Sequence, residues 1–200
     1  MIVSRKPKVK RKPRVIHKAK RGKPRVVHKA KRGASVRLVP RPWMSKVEIE
    51  RLGALIRARK PRRVLEWGGG GSTIYWPPMF PDIDWWTVES DPRWAQAIRG
   101  RKPPNVTLLE LQPPAYYELC PDEVGTFDLI IVDGISELRV KCLDVARRFM
   151  NPGGCAVLHD CVNPRHDPGQ RYYHDVSYLC HPPKECKRGL MLFENPRTDV

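Results

Sequence analysis

The sequence has no long apolar run and no closely spaced pair of cysteines. No stretch approaches the roughly 18 consecutive apolar residues that a membrane-spanning helix needs, so we expect no membrane span and no export signal. The six cysteines form no C-x-x-C pair, which argues against a common zinc site and favours reduced thiols. We therefore expect an intracellular, cytoplasmic protein, or a nuclear one if the host is a eukaryote.

Acidic side chains are absent from the first 42 residues, although 17 of the 38 Lys and Arg residues lie there. An eleven-residue unit occurs twice, at 12–22 and 23–33, and each copy contains a proline and a glycine. Such a segment is too charged and too interrupted to bury a core. We predict that residues 1–42 form a disordered basic tail that binds RNA, DNA or another polyanion in a salt-sensitive manner. A merely solubilising tail is the alternative. The first aromatic residue is Trp43, so the tail itself offers no stacking platform for bases.

Residues 43–200 carry no formal net charge and have the pattern of one α/β domain. The helix-like segments are 45–56, which opens with the capping box Ser45-x-x-Glu48, then 92–99 and 137–150. The strand-like runs that alternate with them are 63–66, 84–89, 106–110, 127–134 and 155–160. This alternation predicts a doubly wound, mostly parallel sheet, whose ligands bind beyond the carboxyl ends of the strands.

The first strand-like run leads into a glycine-rich turn, in which Glu66 and Trp67 precede four glycines and Ser72-Thr73. Glycines allow a sharp turn and a close approach of a ligand to the backbone, and the N–H groups of the next helix are free to donate. Glu89 ends the second run, 23 residues after Glu66, a spacing that suits a carboxylate accepting from ribose hydroxyls. The pattern predicts a site for a nucleotide-like ligand, although a surface acid at a strand end is the alternative for Glu89.

Five segments in order resemble the class I S-adenosylmethionine-dependent methyltransferases, which have a Rossmann-like fold. They are VLEWGGGGST, WWTVES, NVTLLELQ, FDLIIVDG and NPGGCAVLHD, and the resemblance covers residues 62–160. The first is similar to the E-x-G-x-G-x-G signature of that family. Glu66, Gly68 and Gly70 match it, and Ser72 stands in place of the last glycine.

This resemblance implies a cofactor, S-adenosyl-L-methionine, and a role for each matching residue. The glycine turn would hold the methionine part, Glu89 the ribose, and Gln112 the adenine, while Asp133 would lie beside both cofactor and acceptor. The resemblance also implies an antiparallel pair of strands at the carboxyl end, which the runs 173–179 and 189–194 fit. The connection from Asp160 to Tyr172 is expected to be a loop.

Catalysis is expected from three polar residues that follow the fourth and fifth strands, namely Asp133, His159 and Asp160. In one route Asp133 and Asp160 hold a divalent cation such as Mg²⁺, which lowers the pKa of an acceptor hydroxyl. Where the similar cation-dependent O-methyltransferases have Asp-Asn, this chain has Asp160-Cys161, and a thiol is a poor ligand for Mg²⁺. In the other route His159 is the general base.

Methyl transfer to oxygen on an unidentified acceptor is therefore the leading hypothesis. After the fourth strand the chain lacks the Pro-Pro-aromatic loop of enzymes that methylate exocyclic amines, and no Pro-Cys pair offers a nucleophile for cytosine carbon, which disfavours base methylation of DNA. A non-catalytic nucleic-acid-binding protein with a degenerate Rossmann-like domain is one alternative. A nicotinamide-dependent oxidoreductase is the other.

Overall fold

The computed structural model describes residues 36–119 and 121–198. Residues 1–35 of the predicted disordered tail lie outside the described residues. Residues 36–42, the end of that segment, are described and pack against the domain. The Leu38 side chain is buried, and its carbonyl accepts a hydrogen bond of 2.6 Å from the Arg101 guanidinium.

A seven-stranded mixed sheet forms the centre of the fold, in the order β3-β2-β1-β4-β5-β7-β6. The strands are β1 (Arg63–Trp67), β2 (Asp84–Glu89), β3 (Val106–Glu110), β4 (Phe127–Val132), β5 (Met150–His159), β6 (Tyr173–Cys180) and β7 (Leu190–Pro196). The first five are parallel to one another, whereas β7 runs antiparallel to β5 and β6. The predicted doubly wound sheet with an antiparallel strand pair at its end is confirmed.

Helices cover both faces of this sheet. The α-helices are α1 (Lys46–Arg59), α2 (Gly71–Tyr75), α3 (Pro92–Arg99), α4 (Pro121–Val124) and α5 (Arg139–Phe149), and 3-10 turns lie at Pro77–Met79, Ser136–Leu138 and Pro164–Tyr172. Among the described residues, none of these helices is long and apolar enough to cross a membrane.

Apolar residues on alternate positions of β4 explain the two layers. Ile130 and Val132 pack with the α5 side of the sheet, and Leu129 and Ile131 pack with the α1 side. A strand that is buried on both faces has a continuous apolar sequence, as β4 does. The sheet is therefore held from both sides, which makes its carboxyl edge a rigid base for a site.

Two local expectations were wrong. The fifth strand was predicted to begin at Cys155, but β5 already begins at Met150 and includes Pro152-Gly153-Gly154, with an irregularity in its pairing with β4. The segment from Asp160 to Tyr172 was predicted as a loop, but most of it is a 3-10 helix. Its start is stabilised because the Asn163 side chain accepts from the Arg165 N–H and because Pro164 suits the first position of a helix.

Candidate active site

The order of the strands reverses between β1 and β4, and a cavity of about 580 Å³ opens at this point. In doubly wound sheets, ligands bind in the crevice outside the carboxyl ends of the strands where the order reverses. The glycine turn 68–72, the end of β2 at 89–91, and the residues Asp133 and His159 all line it. Two predicted groups, the glycine turn and the polar residues Asp133 and His159, are therefore brought together.

Gly68 is required where the turn passes the β4 loop. Its φ angle is +96°, which lies in the region that favours glycine. A Cβ at this position would lie only 2.5 Å from the backbone N and Cα atoms of Gly134. Because there are no side chains here, the two loops can meet closely and the cavity wall consists of backbone. A ligand with many polar atoms requires such a wall.

Glu66 was predicted to bind the cofactor, but it does not line the cavity. Its side chain is fully buried and accepts hydrogen bonds from the hydroxyls of Ser72 and Thr73 and, at 3.2 Å, from the Trp85 indole. Burial raises the pKa of Glu66 to about 7, against the opposing effect of these hydrogen bonds. Glu66 therefore holds the turn in shape from behind, while Ser72 lies at the cavity wall.

Glu89 is placed as predicted, at the wall of the cavity. One carboxylate oxygen accepts from the backbone N–H groups of Ser90 and Asp91, each at 2.7 Å. Burial raises the pKa of Glu89, although these N–H groups act to lower it. The two hydrogen bonds fix the carboxylate in one orientation, which suits a group that binds a pair of hydroxyls.

Gln112 was predicted to approach adenine, but it is exposed and lies outside the cavity. Its amide instead donates to the carbonyl of Ser90. A residue that was not predicted, Trp94 on α3, lines the cavity on this side. Its ring would be 3.9 Å from a Cβ built on Gly70. The signal for Trp94 was an aromatic residue in the first turn of the helix after β2.

His159 lies between two carboxylates at the other end of the cavity. Its Nδ1 is 2.8 Å from Asp133 Oδ1, and its Nε2 is 3.9 Å from Glu48 Oε2. Nε2 is buried and has no hydrogen-bond partner among the described residues. Asp133 is more accessible than His159, because 18% of its side chain is exposed, against 1% for His159.

Glu48 was predicted only as a helix cap, but it also reaches the site from α1. It forms the capping box with Ser45, and its other oxygen accepts from the backbone N–H of Gly189 at 2.6 Å. Burial acts to raise the pKa of Glu48, but the hydrogen bonds from Ser45 and Gly189 outweigh it, so the pKa is lowered. An ionised carboxylate is thus buried on the far side of His159.

Arg139, the first residue of α5, joins the predicted catalytic residues and was missed by the sequence reasoning. Its buried guanidinium is 3.0 Å from Asp133 Oδ1, 3.8 Å from Asp160 Oδ2 and 2.7 Å from the carbonyl oxygen of His159. Arg139 lies three residues before Cys142, on the apolar face of the predicted helix. An arginine at such a position was the available signal.

The predicted cation site at Asp133 and Asp160 is not supported. The Arg139 guanidinium interacts with both carboxylates, so their negative charge is already compensated by a fixed cation. Asp160 also lies outside the cavity lining. Within 36–119 and 121–198, no group of three or more His, Cys, Asp or Glu side chains is placed to hold a metal ion.

Comparison with known proteins supports the fold. No protein-family model and no curated protein sequence matches the chain. Among solved structures it is similar to cofactor-bound Rv0187 from MTB, with 24% identity over 77% of this chain and 82% of that one and a TM-score of 0.60. It is also similar to two O-methyltransferases. One is TomG from Streptomyces achromogenes in complex with S-adenosylmethionine (19% identity, 75% and 79% covered, TM-score 0.55). The other is from Bacillus cereus, in complex with S-adenosylhomocysteine (18% identity, 76% and 82% covered, TM-score 0.54).

These similarities and the sheet order show the fold. The chain has the Rossmann-like fold of the class I S-adenosylmethionine-dependent methyltransferases.

Proposed function

We propose that this protein is an S-adenosylmethionine-dependent methyltransferase that acts on an oxygen atom of its acceptor. The observation that carries the proposal is a single cavity that runs from the glycine turn and Glu89 to Asp133 and His159. The first two features suit the cofactor, and the last two suit a hydroxyl that must lose a proton. A nicotinamide-dependent oxidoreductase is disfavoured because, among the described residues after β5, none resembles a hydride-transfer site.

The residues at the cofactor end fit S-adenosylmethionine, the cofactor that the fold implies. The backbone of Gly68 to Gly70 offers a wall without side chains, Glu89 offers an oriented carboxylate for ribose hydroxyls, and the Trp94 ring offers an apolar surface for adenine. S-adenosylmethionine, when bound, supplies an electrophilic methyl group. The chain's own contribution to the reaction is then to position the acceptor and to remove its proton.

Asp133 is the group that we assign to the acceptor hydroxyl. Its side chain lines the cavity, whereas His159 Nδ1 is occupied by Asp133 and His159 Nε2 is buried towards Glu48. The acceptor proton would pass to the Asp133 carboxylate. His159 and Arg139 keep that carboxylate in one orientation. His159 thus acts through Asp133, and this assignment replaces the two routes that the sequence left open.

The test is methyl transfer from radiolabelled S-adenosylmethionine to total cellular RNA by the full chain. Asp133→Asn should reduce transfer by at least about a hundredfold while S-adenosylhomocysteine still binds. Glu137→Gln is the control, since Glu137 is exposed and outside the cavity. EDTA should leave the wild-type rate unchanged. Full activity of Asp133→Asn, or loss of activity in EDTA with recovery in Mg²⁺, would contradict the assignment.

We also propose that residues 1–42 bind polyanions. The support is the charge of the segment, which has 17 Lys or Arg residues and no acid. Binding of phosphates by such a segment releases counterions, so affinity should fall steeply with salt and depend little on base sequence. Deletion of residues 1–35 should remove most of the affinity for heparin. Heparin affinity that survives the deletion would contradict this part of the proposal.

A further inference from the structure

The active-site cavity is lined by side chains of both charges. Glu89 and Asp91 supply the acidic groups. Arg37, Arg41 and Arg188 also line it, and a smaller adjoining cavity of about 440 Å³ is lined by Arg41 and Arg188 together with Lys187. We call these four cations the basic rim. The carboxylates suit hydroxyls and the cationic sulfonium, whereas the basic rim suits an anionic acceptor.

The basic rim has no acidic partner among the residues that the structure describes. None of its four side chains forms an ion pair there, whereas arginines elsewhere in the domain do. All four residues are exposed. Unpaired cations that converge on one opening raise the local concentration of anions and bind phosphates favourably.

Trp43 adds an aromatic surface to the same opening. It is 83% exposed and lines both cavities, while its neighbours Pro42 and Met44 are buried. Because the chain is anchored on both sides of Trp43, its indole is held outward at the rim. An exposed indole beside cations is the combination with which proteins stack unpaired bases between phosphate contacts.

The segment that carries Arg37, Arg41 and Trp43 is seated on the glycine turn. A Cβ on Gly71 would collide with the carbonyl oxygens of Val39 and Arg41, so the segment passes directly over the turn. Leu38, buried and bound to Arg101, anchors its other end. The segment is also continuous in sequence with residues 1–35, which contain 15 further Lys or Arg residues. The sequence that leads into the cavity segment is therefore strongly basic as well.

We propose that the acceptor is a nucleotide within single-stranded nucleic acid. The strand's phosphates contact the basic rim, one of its bases stacks on Trp43, and the neighbouring nucleotide enters the cavity towards Asp133. A duplex is disfavoured because its bases are paired and stacked on each other and cannot lie on the indole. The identity of the acceptor rests on the proposed methyl transfer, but the binding of the strand does not.

The experiment measures binding of a fluorescent twelve-nucleotide oligoadenylate, and of a duplex of equal length, to the full chain. Trp43→Ala should weaken binding of the single strand about tenfold and leave duplex binding unchanged, whereas Trp43→Phe should retain most of the affinity. The double variant Arg41→Ala/Arg188→Ala should reduce the slope of log affinity against log salt by roughly 1.4. The matched control is Arg57→Ala/Arg62→Ala, which removes two exposed arginines outside both cavities.

Three outcomes would overturn the proposal. The first is wild-type affinity in both Trp43→Ala and the double variant. The second is an equal loss of single-strand and duplex binding in Trp43→Ala. The third is displacement of the oligomer by an equal concentration of adenosine monophosphate, which would make a free nucleotide the ligand. Calorimetry with S-adenosylhomocysteine separates the two proposals, because its failure with intact strand binding would refute only the methyltransferase.

Discussion

The Asp133 carboxylate lies 3.0 Å from the guanidinium of Arg139, and the two residues are only six positions apart at the end of β4 and the start of α5. The same guanidinium donates to the carbonyl of His159 at the end of β5 and faces Asp160. One buried side chain therefore ties together the ends of the two strands that carry all three predicted catalytic residues.

Replacing Arg139 should damage both stability and activity. Arg139→Ala leaves the Asp133 carboxylate and the three backbone carbonyl groups of Asp133, Gly134 and His159 without their donor, so we expect the free energy of unfolding to fall by about 3 to 5 kcal/mol. Arg139→Lys should lose less stability but still reduce methyl transfer, because an ammonium group cannot replace the planar set of donors. Urea unfolding and initial rates provide the measurements. The control is Arg148→Ala, which alters an exposed position on the same helix. If Arg148→Ala and Arg139→Ala had the same free energy of unfolding, the network around Arg139 would be dispensable for stability.

Glu66 should make the stability of the protein depend on pH. Its pKa is raised from 4.5 to about 7 in the folded state, so the folded state retains a proton that the unfolded state has lost. The stabilisation is therefore complete below pH 4.5 and is lost as the pH rises to 7, by about 3 kcal/mol in total. Glu66→Gln lacks this titration.

The measurement for Glu66 is urea unfolding at half-unit steps from pH 4.5 to 7.5. The difference in free energy of unfolding between wild type and Glu66→Gln should shift in favour of the variant as the pH rises. Since other carboxyl groups are common to both proteins, their titration cancels in this difference. A difference that does not change with pH would mean that the pKa of Glu66 is ordinary.

Gly68 and Gly153 offer a matched pair for the glycine turn. Both have a positive φ angle, +96° and +76°, so alanine is strained at each by about 1 kcal/mol. Only at Gly68 would the Cβ also meet backbone atoms, since nothing lies within 4 Å of a Cβ on Gly153. Gly68→Ala should therefore destabilise by roughly 3 kcal/mol, and Gly153→Ala by much less. Equal thermal shifts for the two variants would contradict the close contact with Gly134.

The fold was predictable because its signals are local. The apolar run of β4, the capping box at Ser45 and the alternation of strands and helices each report on a few neighbouring residues. The end of a strand also predicts which residues meet at the sheet edge, as Glu89, Asp133 and His159 do. What remained hidden depends on contacts between residues far apart in sequence.

Glu48 and Gln112 illustrate that limit. Glu48 was recognised as a cap, yet its position below His159 follows from the packing of α1 on a strand more than a hundred residues later. Gln112 was assigned by resemblance, but the chain after β3 turns it towards the carbonyl of Ser90. No sequence pattern shows that the chain before Trp43 crosses the glycine turn. This crossing is possible because Gly71 has no side chain to occupy the space.

The most direct test of the account is calorimetric titration of the full chain with S-adenosylhomocysteine. We predict saturable binding at one site, weakened at least about tenfold in Glu89→Gln because an oriented acceptor for hydroxyl groups is lost. Binding should be unaffected in Glu110→Gln, which alters the exposed acid at the end of the neighbouring strand. Absence of binding to the wild-type protein, or tighter binding of NAD than of S-adenosylhomocysteine, would contradict the central claim.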